Sequence, residues 1–376
     1  MKYKLITIFL LSASLSANAQ LSGDGYYRLQ NATTARYVRI IDNRGSINIA
    51  STDVDLGALQ TVLNFQNVDY DPATVMYISK LNSTDYNIAT QGISLYSMMG
   101  FGIKFRATNK GTYGAYQEKA GMAKYLNDTP VASANDIYGY VLSNSSQNRE
   151  WNIIPVSAES DNYLGVKPQV CIDGKYYCAY YSGFPFIFAS DGMKAFYVTH
   201  VDTQYGICVT EELSGTIPAS TPVIIECQSE YAKDNRLELL APGTAVPPVS
   251  GNLLAGAYFQ NNSNKHRNRV DYDSKTMRVL GQTDNGVLGF VKDSKLTAIA
   301  ANTCYLKADN VPAQLVFMNQ DEYDEFLIEA GVRTAAEKQV VPVYSITGKA
   351  LDIMSDELDR LPQGIYIVNG KKYIVR

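Results

Sequence analysis

The chain has 376 residues, 46% of them hydrophobic and 19% charged, with 33 basic against 37 acidic residues and a formal net charge of −4. That length exceeds one ordinary domain, and the apolar fraction is ample for more than one core. The acidic balance argues against an electrostatic nucleic-acid binder, which needs a basic face.

The first nineteen residues have the three parts of a cleavable export signal. Lys2 and Lys4 make a basic start, Leu5 to Leu11 is an apolar run, and small residues end in Ala17-Asn18-Ala19. Small side chains at 17 and 19 suit a signal peptidase, so cleavage between Ala19 and Gln20 is expected. The apolar run is shorter than the about 20 residues that span a bilayer, and no later helical segment is long and apolar enough to do so. No transmembrane segment is therefore expected after processing. Loss of Lys2 and Lys4 leaves 31 basic against 37 acidic residues, a net of −6. The first cysteine is Cys171, so no lipid-acceptor cysteine follows the cleavage point.

From 20 to 157, short alternating runs broken by Gly, Asn and Asp predict strands. Three segments are alike. Tyr27 and Tyr37, Tyr77 and Tyr86, and Tyr116 and Tyr125 form pairs 10, 9 and 9 residues apart. Each segment closes on an aromatic, Phe65, Phe105 or Trp151. One such unit cannot bury its own apolar face, but three can close a barrel. The opening run YYRLQNATTARYVRI at 26–40 resembles the start of a ricin-type β-trefoil repeat. That resemblance implies a β-trefoil-like domain over 20–157 and, by analogy of fold, a glycan ligand. The usual Gln-x-Trp closing motif is approached only at Trp151, and the sugar-gripping residues of that family have no match here.

From 158 to 318, strands are predicted around Tyr176–Tyr181, Phe196–Val201, Val223–Cys227, Met277–Leu280, Val287–Val291 and Leu315–Met318, as a β-sandwich-like domain. Asp173-Gly174 marks a two-residue hairpin turn with Cys171 opposite Tyr176. Five cysteines cannot all pair internally, and their spacing matches no zinc motif. Most are read as small buried apolar residues, with one disulfide left open. Ile217–Ile225 echoes Ile299–Lys307, either as a duplicated ligand loop or as a recurring turn that feeds a buried strand. Pro242 to Ser250 reads as a loop.

Residues 319–340 predict a short helix and linker. Asn319 begins it, Tyr323, Phe326, Leu327 and Ala330 share one face, and Gly331 stops it. In 341–376, Thr347-Gly348-Lys349, Gly364-Ile365-Tyr366-Ile367 and Lys371-Lys372 surround an Asn369-Gly370 hairpin signal. This tail resembles the C-terminal sorting domain of the type IX (Por) secretion system. The resemblance implies a small β-hairpin sorting domain, the type IX machinery as a partner, and an address at the cell surface or in the medium of a Gram-negative bacterium.

No cofactor or metal motif is read. His200 and His266 are the only histidines, too few for a multi-histidine site. Glu211-Glu212, Asp321-Glu322 and Asp324-Glu325 read as solvated acids, and Asp271-Tyr272-Asp273 as a turn that lacks the ligands of a calcium loop. The run Lys175–Tyr181 places tyrosines on both faces of one strand. Tyr176 and Tyr180 are the candidate binding residues, either stacking on a sugar or a protein, or covered within the fold. The expectation is an all-β, non-enzymatic surface or secreted binding protein with a glycan or surface-protein ligand. An adhesive structural protein and a polysaccharide hydrolase are the alternatives.

Overall fold

The computed structural model describes residues 21, 23–40, 59–62, 68–91, 93–95, 104–119, 122–128, 142–143, 146–262, 267–331, 342–355, 357–368 and 371–375. The expected export signal with Ala19 and Gln20, Phe65, His266, most of the expected linker and the expected Asn369-Gly370 turn lie outside them. The chain divides into two compact units, Met1–Phe317 and Met318–Arg376. Both are built from short strands, and the one α-helix among the described residues is Gln320–Glu329.

Each tyrosine pair of the first region marks a hairpin. Gly25–Asn31 pairs with Tyr37–Ile40, with Gln30 opposite Tyr37. Met76–Lys80 pairs with Tyr86–Thr90. Tyr113–Lys119 pairs with Met122–Leu126, which sets Tyr116 directly opposite Tyr125. Glu150–Pro155 returns along Gly25–Asn31 from Tyr27↔Pro155 to Asn31↔Trp151. Trp151 is fully buried, and its Nε1 donates to the Leu126 carbonyl at 3.0 Å. That bond meets the need of the one polar atom of an otherwise apolar side chain.

The Gly25–Asn31 strand is covered on both faces. Tyr27 and Leu29 enter one apolar core, and Tyr26 enters a second that is built mainly from residues 164–237. Arg28 shares the Tyr26 side and is fully buried. Its guanidinium donates to Thr74 Oγ1, Asn162 Oδ1 and the carbonyls of Tyr163 and Val68, at 2.7–3.0 Å. A buried cation survives only when its donors are used, and these acceptors use them. The same guanidinium thereby ties the first strand to residues 68–74 and to 162–163.

The six strands expected between 158 and 318 are present, as Lys175–Tyr180, Lys194–Asp202, Val223–Cys227, Met277–Gln282, Leu288–Val291 and Gln314–Asn319. The Asp173-Gly174 turn has φ of 50° and 76° at its two central residues and sets Cys171 opposite Tyr176. Positive φ at both positions is what a type I′ turn requires.

The 217–225 and 299–307 echo belongs to a larger duplication. Lys194–Asp202 pairs with Ile207–Leu213 on one side and Val223–Cys227 on the other. Met277–Gln282 likewise pairs with Leu288–Val291 and with Thr303–Lys307. The registers Ala195↔Ile225 and Phe196↔Ile224 reappear as Met277↔Lys307 and Arg278↔Leu306, displaced by the same interval in sequence. Each return strand has an outer partner, Lys175–Tyr180 or Leu254–Ala257. In the sheet order the two copies run in opposite senses, with Gln314–Asn319 between them.

In the second unit, Asn319 caps the helix. Its side chain accepts from the Glu322 amide at 3.0 Å while Glu322 accepts from the Asn319 amide at 2.8 Å. Tyr323 and Leu327 are buried, Phe326 is half-buried, and Ala330 at the C-cap is exposed. Gly331 has φ 70°, the left-handed stop that a helix end favours. The tail is a four-stranded antiparallel sheet of Ala350–Met354, Pro342–Ser345, Gly364–Val368 and Lys371–Val375, in that order. Ile365 lies opposite Ile374 and Tyr366 opposite Tyr373.

Candidate ligand-binding cavity

The Lys175–Tyr180 strand has no free aromatic face. Cys178 and Tyr180, with Tyr176 at the margin, pack into one core, while Tyr177 and Ala179 pack into another. Tyr176 is half-buried, opposite Cys227 on one neighbour and Cys171 on the other. Tyr180 is 4% exposed, and its ring meets Phe186 edge-on at 5.5 Å. Yet Tyr180 also reaches a cavity of about 440 Å³ that Tyr176 does not line. That volume lies in the range of small-molecule pockets, about 300–1,000 Å³.

Five separated stretches build the cavity. Arg39 comes from the Tyr37–Ile40 strand, and Tyr70, Asp71 and Pro72 from the turn before Met76–Lys80. Lys167, Pro168 and Gln169 come from the segment between two short strands. Cys178 and Tyr180 come from Lys175–Tyr180, and Ala300 to Thr303 from the second copy of the duplicated turn.

Local chemistry holds each piece. Asp71 Oδ1 accepts from the Ala73 amide at 3.0 Å and so caps the short 3₁₀ turn Pro72–Thr74. Its other oxygen lies 2.7 Å from Arg39 Nε. The pair is close in distance, but the N–H is not aligned as a hydrogen bond. Burial raises the Asp71 pKa above the usual carboxylate value, and Arg39 offsets this only in part. Asp69 is raised for the same reason, against the pull of a 3.1 Å hydrogen bond from the Tyr163 hydroxyl. Gln169 spends its amide on Ala179, accepting from its N–H at 3.1 Å and donating to its carbonyl at 3.5 Å. The Lys167 ammonium sits 4.8 Å from the Tyr70 ring centroid, in cation–π range.

Asn302 has φ 56°, a conformation that asparagine tolerates better than most residues. Its Nδ2 donates to the Tyr181 carbonyl at 3.0 Å, and its own carbonyl accepts from the Tyr181 amide at 3.1 Å. In the first copy, Ser220 has φ 59° and its amide donates to the Ser182 carbonyl at 2.9 Å. The two copies of the turn therefore grip adjacent residues of one crossing segment. Only the second copy opens on the cavity.

Three polar atoms of cavity-lining residues are themselves shielded from solvent and have no partner of hydrogen-bond geometry within the protein, although one of them belongs to the ion pair of Arg39 with Asp71. They are Tyr180 Oη, Asn302 Oδ1 and Arg39 Nε. Burial drives the Tyr180 phenol far above its usual pKa, and the nearby Ser182 opposes that only in part, so the hydroxyl stays protonated. An unmet buried polar group costs about 1–3 kcal/mol, a cost carried here by Tyr180 Oη and Asn302 Oδ1. The wall sets the side chains of Arg39, Lys167, Tyr180 and Asn302 between Pro72, Pro168, Ala300 and Ala301.

The other residues singled out from the sequence lie elsewhere. His200 is exposed on its strand beside a bulge, and Glu211 and Glu212 are exposed on the next strand. Asp321, Glu322, Asp324 and Glu325 belong to the helix of the second unit. Asp271 pairs with Arg269, and Asp273 closes a turn by accepting from Lys275 N and Thr276 Oγ1 at 2.9 Å each. Arg39, Asp71, Lys167 and Asn302 carry no motif of their own. The strand of Tyr180 and the 299–307 echo are the sequence features that fall on two of the five stretches. No protein-family model matches this chain, and no curated protein matches it in sequence.

Proposed function

We propose that this is an exported, non-enzymatic binding protein that holds a carbohydrate in the cavity at Tyr180. The observation that carries the reading is a cavity of small-molecule size whose wall sets Arg39, Lys167, Tyr180 and Asn302 among the apolar residues Pro72, Pro168, Ala300 and Ala301. Sugars present hydroxyls that both donate and accept, together with apolar C–H faces, and such a wall complements both. The three tyrosine-marked hairpins and the return of Glu150–Pro155 along Gly25–Asn31 support a trefoil-like first region, a scaffold compatible with glycan binding. The export signal and the Gly364–Val368 and Lys371–Val375 hairpin support a route to the surface of a Gram-negative cell through type IX secretion. A glycosidase needs two carboxylates about the scissile bond, and Asp71 is the one acidic residue lining the cavity among the described residues.

A protein-binding, adhesive reading has one observation in its favour. Tyr344, Ile365 and Ile374 share a face of the C-terminal sheet and are 37%, 37% and 56% exposed.

The test is a glycan-array and polysaccharide-binding screen on the mature chain, repeated with Arg39→Gln and Lys167→Gln, two accessible residues of the wall. Saturable binding that both variants weaken is the expected result. Binding to no glycan, or binding that both variants leave untouched, refutes this reading and turns the search to protein partners.

A further inference from the structure

We propose that Tyr231, flanked by Tyr176, is a glycan platform on the surface, where the ring of a neutral sugar stacks on the exposed Tyr231 side chain. The proposal shares the carbohydrate reading above but not its cavity, because neither tyrosine lines that cavity.

Tyr231 is 56% exposed, the most exposed aromatic side chain among the described residues. Its backbone is held at both ends. The Tyr231 amide donates to Ser229 Oγ at 3.2 Å, and its carbonyl accepts from Asn235 Nδ2 at 3.1 Å. Asn235 is fully buried. Its Oδ1 accepts from the Ser229 amide, and its Nδ2 also donates to the Ser229 and Val166 carbonyls, at 2.7–3.1 Å. The 3₁₀ turn Ala232–Asp234 that follows sits directly on the short strand Leu164–Gly165. A β-carbon on Gly165 would lie 2.1 Å from the Ala232 carbonyl oxygen. A ring presented on so fixed a backbone loses little freedom when a ligand arrives.

The surroundings favour a sugar over a protein. No other large hydrophobic side chain between residues 206 and 252 is exposed. A protein anchor sits inside a wider patch that shuts out water. Here one ring is bordered in the chain by the exposed side chains of Gln228, Glu230 and Lys233. Lys233 Nζ lies 5.5 Å from the ring centroid. Glu230 holds the Tyr231 phenol above its usual pKa, with Tyr176 a smaller contributor, so the hydroxyl is neutral and both donates and accepts. Tyr176 is half-buried on the neighbouring strand, opposite Cys227. One flat apolar face with donors and acceptors around it complements a pyranose, which has C–H faces and a rim of hydroxyls. Glu230 and Lys233 balance in charge, so the platform suits a neutral ligand.

The experiment is affinity electrophoresis of the mature chain in native gels that contain laminarin, dextran, xyloglucan or α-mannan. Tyr231→Ala, Tyr231→Phe and Arg39→Gln are run beside the parent. The expected result is retardation of the parent in at least one gel, with the apparent Kd raised by about three- to tenfold in Tyr231→Ala. Tyr231→Phe keeps the ring and should retain most of the binding. Added salt should change little, because no ion pair anchors the sugar. Tyr231 is a surface side chain, so an unchanged thermal midpoint in its variants separates lost binding from lost fold. Retardation that Arg39→Gln weakens and Tyr231→Ala leaves untouched overturns the platform and leaves the cavity reading standing. Retardation that Tyr231→Ala weakens and Arg39→Gln leaves untouched supports the platform and counts against the cavity. An equal loss in Tyr231→Phe and Tyr231→Ala overturns stacking, and no retardation in any gel overturns the platform.

Discussion

The Tyr181 ring fills the space directly above the Gly256 α-carbon. A β-carbon on Gly256 would lie 2.4 Å from the ring. Tyr181 also stacks on Tyr258 with centroids 4.3 Å apart, and Tyr258 shares a hydrogen bond with Ser220 at 2.6 Å. Gly256→Ala must displace this stack. Overpacking of this kind costs about 1–3 kcal/mol. Urea unfolding of the variant should show a lowered midpoint with an unchanged slope. Tyr181→Ala in the same background should recover part of the loss, because it removes the clash.

Tyr180→Phe tests the buried hydroxyl directly. The variant deletes a buried hydroxyl that has no partner, so thermal unfolding should move up or stay level, by at most about 1–3 kcal/mol. A large loss of stability would mean that the hydroxyl is satisfied within the fold, contrary to its geometry.

Arg28 anchors the first strand to residues 68–74 and 162–163. Burial lowers its pKa to about 10, which still leaves it charged at neutral pH. Arg28→Ala removes four hydrogen bonds, deprives the Tyr163 carbonyl and the Asn162 side-chain oxygen of the guanidinium donor, and opens a cavity. The expected cost is about 3 kcal/mol or more, read by chemical denaturation. Arg28→Lys should fall between the two, since an ammonium has three donors for four acceptors.

Asp71 sets a pH dependence of unusual sign. Its folded pKa is raised, so the folded protein holds that proton more firmly than the unfolded chain does. The contribution of Asp71 to stability is therefore lost as pH rises from the ordinary carboxylate value of about 4 through the raised folded value. At neutral pH, Asp71→Asn removes this penalty while its side-chain oxygen can still cap Ala73. The stability difference between Asp71→Asn and the parent should shrink as pH falls toward about 4. A difference that stays constant with pH would contradict the assignment.

The thiols should divide by burial. Cys171 is exposed, while Cys178, Cys208, Cys227 and Cys304 are buried. Burial pushes Cys227 and Cys304 up to about 12 and raises Cys178 and Cys208 as well. A buried thiol with little thiolate is inert. Brief iodoacetamide treatment of the native protein followed by mass spectrometry should label Cys171 alone, and denaturant should expose the rest.

Local chemistry alone made much of this fold legible. Alternation and turn residues gave the strands, because pleat and turn geometry act over a few neighbours. Asn319 with Glu322 announced the helix start, Gly331 its end, and Asp173-Gly174 a hairpin whose register followed at once. The duplication of 194–227 in 277–307 showed in sequence only as its turn, because strand pairing constrains backbone and burial more than residue identity. Cover on both faces of Lys175–Tyr180 was a tertiary outcome. So was the burial of Arg28, since a basic residue in an apolar strand carries no sign of the carbonyls that will surround it. The cavity belongs wholly to the tertiary structure. Its wall draws on residues 39, 70–72, 167–169, 178, 180 and 300–303, which are far apart in the chain. Tyr180 could be named from its strand, but the partners that make it a site are distant in the chain, and only packing brings them within reach.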